Sequence, residues 1–129
     1  QTDPMNSCLA MAPEEQQNGR VTAATIMTWR TPAPLVVLSA CETARGDISP
    51  ARQEVLGLLR AWMFAGAPAV VSSLWKIDDK ATSELMAEFY RNLKTMGRSE
   101  ALQKAQVEMM KKYDNPYYWG AFVLYGDYR

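Results

Sequence analysis

Two apolar runs, LVVLSA at residues 35–40 and AVVSSLW at residues 69–75, constrain this chain more than any other feature. Each is shorter than a typical helix, and neither alternates polar with apolar residues. That pattern predicts strands buried on both faces. Helical spacing fills the intervals. Residues 21–29 predict a short helix capped by Thr22, with Ile26 and Trp29 on one side. Ser49 before Pro50 reads as a helix start, and the helix carries Val55, Leu56, Leu59, Trp62 and Met63 until it stops near Gly66. The cluster Trp62, Met63, Phe64 reads most simply as its core side. Asp78 or Asp79 caps a longer helix whose spaced apolar residues are Ala81, Leu85, Met86, Phe89 and Leu93. Ser99 is expected to cap another, reaching about Lys112 with Leu102, Ala105 and Met109 inward. Asn115–Pro116 predicts a turn, and residues 121–125 a last strand ending at Gly126. Before all of these, residues 1–20 read as loop around an extended piece at 8–11.

Helices alternating with apolar strands imply an α/β fold, an open and mostly parallel sheet covered on both faces. Three clear strands make that sheet thin, so further strands are expected from outside this chain, which is then part of one domain. The 129 residues carry 14 basic and 14 acidic side chains. That balance offers no basic face for nucleic acid or for an anionic membrane. No apolar run approaches the roughly 20 residues of a membrane span, and no signal peptide is visible. Two cysteines, Cys8 and Cys41, build no disulfide framework and suit a reducing cytoplasm. With no histidine and no CxxC pair, no metal site is readable, and no Gly-rich phosphate loop or other cofactor motif appears.

Cys41 stands where the first apolar run meets the polar loop ETARGD. In open α/β sheets ligands gather beyond the carboxyl ends of the strands. The segment at 75–79 follows the second run and falls on the same rim. A cysteine nucleophile works as thiolate, yet an unperturbed thiol has a pKa of about 8.5. It needs a base, and this chain holds 0 histidines. The adjacent Glu42 carboxylate would raise the thiol pKa rather than lower it. On pattern alone, a small buried residue at a strand end is the plainer reading of Cys41.

A resemblance shifts that balance. LVVLSACETARG resembles the VVLSACETGxG strand of CHAT domains, a caspase-like, separase-related group of cysteine peptidases. EVLGLLRAWMFAGAPAVVSSLW, IDDKATSELMAEFYRNL and YYWGAFVLYGD are similar to that family's later motifs, in order and spacing. DPMNSCLAMA and GRVTAATIM fit its earlier ones. The resemblance implies a caspase-like three-layer sandwich of which residues 1–129 are the carboxyl-terminal part. It implies a Cys–His dyad with Cys41 as nucleophile, its histidine in an HG pair upstream of Gln1, in the same protein.

Ser39, Glu42 and Thr43 then support the nucleophile loop, and the Cys41 N–H is one oxyanion donor. Related peptidases hold a basic P1 side chain through an acid after the SLW strand. Asp79 is the first candidate, Asp78 the second, and helix capping is the competing role for both. Trp75 either lines that pocket or belongs to the core. An acidic P1 would instead draw on Lys76 or Arg45. Family members implies a protein or peptide substrate, fusion to TPR or other regulatory repeats, and work in bacterial defence or cell death. Ala44 departs from the family glycine, which leaves a catalytically inactive interaction module as the alternative.

Overall fold

Thr22 ends a strand and starts a helix with the same side chain. A computed structural model describes residues 8–10, 20–38 and 48–129. In it β1 (Cys8–Ala10) pairs antiparallel with β2 (Arg20–Thr22), setting Cys8 opposite Thr22 and Ala10 opposite Arg20. The sequence predicts an extended piece at 8–11, of which 8–10 is strand, whereas its partner at 20–22 reads as loop and helix from sequence. At Thr22 the backbone is still extended, and Oγ1 accepts the Thr25 N–H at 3.2 Å, capping α1 (Ala23–Met27). Ala23 and Ile26 are buried. Trp29 lies past the helix end and meets Trp62 edge-on, ring centroids 5.7 Å apart.

Helix α2 (Ile48–Phe64) begins one residue before Ser49, so Ser49 is not the residue before the helix as expected. Pro50 still falls in the first turn, where its missing N–H costs nothing. Leu58, Leu59 and Ala61 form the buried side, whereas Met63 is 42% and Phe64 63% exposed. The reading of Trp62, Met63 and Phe64 as one core cluster is therefore wrong. Consecutive helical residues are set about 100° apart, so three in a row cannot share a face. The helix ends with two closing bonds, Ala67 N–H to Trp62 O and Gly66 N–H to Met63 O, both 3.1 Å. Gly66 adopts φ +115°, and a Cβ there would lie 3.2 Å from the Thr31 carbonyl. Glycine is what this corner requires.

A three-stranded sheet has the order β3 (Val36–Leu38), β4 (Ala69–Ser73), β5 (Phe122–Gly126). The central β4 is buried at all five positions. β3 was expected to be buried on both faces, but each described residue is half-buried. Its place at the end of the strand order leaves it one neighbour among the described strands. Helices intervene between each strand and the next, the kind of connection that parallel neighbours need. Helices with small sheets are compatible with the α/β class. Contacts divide the described chain into two units, and the boundary crosses β3 after Val36 and β4 after Val70. β1, β2, α1 and α2 belong to the first; α3, α4 and β5 to the second.

In the second unit α3 (Asp79–Asn92) packs on α4 (Arg98–Lys112). Ala81, Leu85, Phe89 and Asn92 form the buried stripe of one, Ala101, Leu102, Ala105 and Met109 that of the other. Ser99 was expected to cap α4. The residue before the helix is Gly97, with no side-chain bond, and the chain's tail does the work instead. Ser99 N–H donates to Tyr128 O at 2.9 Å, and the Arg98 guanidinium donates to Asp127 O at 3.2 Å. At the other end, Glu84 accepts from Lys112 Nζ at 2.8 Å and Tyr113 O–H at 3.3 Å. The Lys112 ammonium holds the Glu84 carboxyl below the usual carboxylate range. A depressed folded-state pKa stabilises at neutral pH, and that contribution is lost as pH falls through it. Gln106 Nε2 ties α4 to the last strand through Trp119 O and Phe122 O, at 3.0 and 3.1 Å.

Candidate active site

The expected site residues fall in two stretches of the sequence, one following β3 and one following β4. Cys41, Ser39, Glu42, Thr43 and Ala44 lie outside the described residues. Leu38, the last residue of β3, is three positions before the sulfur-bearing residue.

The second part is defined in detail. β4 ends at Ser73, 1% exposed, whose hydroxyl has no hydrogen-bond partner among the described residues. Leu74 N–H donates to Ala121 O at 2.7 Å, one step beyond the strand. Trp75 is half-buried, not core, and its indole N–H donates to Tyr117 O at 2.9 Å. Tyr117 O–H returns a bond to Lys76 O at 2.7 Å. Ile77 turns inward, 7% exposed.

The two acids then take different positions. Asp78 Oδ2 accepts Ala81 N–H at 3.1 Å, and Asp78 O accepts Thr82 N–H at 3.0 Å. Asp78 is therefore the cap of α3. Asp79 is the first residue inside the helix, where a negative charge meets the positive end of the helix dipole. It is exposed and makes no hydrogen bond or ion pair among the described residues. Of the two carboxylates, the one at 79 is available to a ligand.

Tyr117 had no place among the expected site residues. It sits in a turn where Asn115 Oδ1 accepts the Tyr117 N–H at 3.0 Å. Its ring meets Tyr118 edge-on at 5.2 Å, and Tyr118 stacks on Tyr113 at 4.8 Å. Burial, with the Glu84 charge nearby, pushes the Tyr113 phenol above its ordinary range. Among the described residues no group of three His, Cys, Asp or Glu could hold a metal ion, and no helix is long and apolar enough to cross a membrane.

The CHAT domain family model matches residues 1–127. The chain belongs to the CHAT domain family. Tetratricopeptide repeat protein 28 of Homo sapiens is 31% identical over 109 residues, as is the Mus musculus protein of that name. The match takes in 82% of this chain and 4% of each relative, so this chain spans a small fraction of their length. CHAT domains form a caspase-like peptidase family, and these relatives are tetratricopeptide repeat proteins.

The α3 cap of this CHAT domain gives a direct test of how the acids divide. Asp78→Ala is expected to cost about 1 kcal/mol, the usual loss for a capping side chain. Asp79→Ala gives up only its interaction with the helix dipole, at most about 1 kcal/mol at an exposed site. Urea unfolding of the two variants measures the order, and a costlier Asp79→Ala would reverse the assignment.

Proposed function

We propose that this CHAT domain is the carboxyl-terminal part of a cysteine endopeptidase with a caspase-like three-layer sandwich. Cys41 is its nucleophile, and its histidine comes from polypeptide outside these 129 residues. The imidazole takes the thiol proton, and sulfur attacks the peptide carbonyl. The Cys41 N–H and the glycine beside the histidine receive the oxyanion. Collapse expels the amine, which takes a proton from the imidazolium. Water then hydrolyses the thioester and frees Cys41. Ser39, Glu42 and Thr43 hold the loop, and Trp75 borders the pocket.

The observation that carries the reading of specificity is the division of the acids. Asp78 is occupied with α3, while Asp79 stands exposed and unpaired among the described residues. A free carboxylate on this rim suits an Arg at P1, with which it forms a two-point pair, better than a Lys. In the full-length protein, Asp79→Ala should lower kcat/KM for Arg-P1 peptides by roughly 10- to 100-fold, the range of a charge-assisted bond. Cleavage after Asp should not rise or fall with it. An unchanged Arg preference would remove Asp79 from the pocket.

The relatives' names support a tetratricopeptide repeat context alone; the wider reading proposed here is a cytoplasmic protein in which such repeats regulate the peptidase, in bacterial defence. A second reading, an inactive interaction module, draws on Ala44 standing where the family carries glycine. A full-length protein that cleaves no peptide would favour it.

A further inference from the structure

We propose that Tyr117 is a positioning residue for the substrate rim, a two-way clamp that sets where the segment at 75–79 lies. The inference rests on the peptidase reading above. Once β4 ends, that segment has one core side chain, Ile77 at 7% exposed, while Leu74 is 47% exposed and Lys76 and Asp79 are exposed too. Polar contacts hold the rest. Asp78 fixes its far end to α3. Between strand and helix, two bonds to one residue do the holding. Trp75 Nε1–H donates to the Tyr117 carbonyl at 2.9 Å, and Tyr117 O–H donates to the Lys76 carbonyl at 2.7 Å. Donor and acceptor alternate, so the bonds fix both the plane of the indole and the direction of the backbone that leads to Asp79.

A clamp works only if its base is rigid. Asn115 holds the Tyr117 N–H, and Gly120 N–H closes the turn onto Pro116 O at 2.7 Å. That closure is so tight that a Cβ on Gly120 would come within 2.9 Å of the Pro116 oxygen. The base is thus built into the turn and does not depend on Trp75. Tyr117 is 42% exposed, so the hydroxyl rather than burial distinguishes tyrosine from phenylalanine here.

Tyr117→Phe removes the bond to Lys76 and leaves the carbonyl that receives Trp75. In the full-length protein, amide exchange across 74–80 should quicken by about fivefold, the worth of one net hydrogen bond, while exchange in α4 is unchanged. With an Arg-P1 peptide KM should rise by about fivefold and kcat stay within about twofold, since the loss is in substrate binding. Unchanged exchange, or unchanged KM in an active enzyme, overturns the assignment. If the wild-type protein cleaves no peptide, it is the peptidase reading that falls, and exchange still decides whether Tyr117 holds the segment.

Discussion

Cys41→Ala should lower kcat/KM of the full-length protein by on the order of 10³-fold or more while leaving its thermal unfolding nearly unchanged. The size follows from what alanine removes. In the proposed mechanism the sulfur makes the covalent bond of the acyl-enzyme, and alanine offers no nucleophile in its place. On the same reading the backbone N–H at position 41 and the proposed substrate rim are retained by alanine, so a small residual rate is expected. Within these 129 residues Cys8 is the other cysteine, and it serves as the control. Cys8 lies in β1 opposite Thr22, in the first unit, and Cys8→Ala should retain activity. A thiol-alkylating reagent should silence wild type and Cys8→Ala alike. Its rate should follow the ionisation of the thiol. Equal peptide cleavage by wild type and Cys41→Ala would remove Cys41 from the mechanism, whatever the motif around it.

The elements legible in the sequence are those whose cause is local. β4 is marked by Pro68 and an apolar run, α1 by Thr22, and the end of α2 by a glycine that must take positive φ. Elements with distant causes were not legible. β2 is three residues long, too short for a period to show, and exists because β1 pairs with it. Ser99 looked like a cap, yet the α4 terminus is served by the tail, through a carbonyl from Tyr128. At the candidate site the same rule holds. A cysteine after a strand and two acids before a helix could be read directly. Which acid caps could not, because aspartate suits both the cap and the first turn. Tyr117 was invisible for a simpler reason: its partners Trp75 and Lys76 are 42 and 41 residues away.

Phe89→Ala should destabilise the domain by about 3–5 kcal/mol, the range for emptying a buried aromatic position. Phe89 is 0% exposed and heads the largest fully buried side chains. It lies on the same buried stripe of α3 as Ala81 and Leu85, and α3 packs on α4. The buried stripe of α4 consists of Ala101, Leu102, Ala105 and Met109. The two alanines do not reach into the space a phenyl ring vacates, and only Leu102 and Met109 are long enough to fill part of it. A residual cavity keeps the cost within that range. Against a total of about 5–15 kcal/mol for a domain, this is a large part of its stability. Tyr90, the next residue, is 50% exposed, and Tyr90→Ala should cost under about 1 kcal/mol. Urea unfolding of the two variants tests the contrast, and a Phe89→Ala loss below about 1.5 kcal/mol would mean that the α3–α4 face closes over the gap. The functional consequence follows from the same helix: its first residue is Asp79, so loosening α3 on α4 displaces the rim acid as well. Phe89→Ala should then raise KM for an Arg-P1 peptide even at temperatures where the domain remains folded.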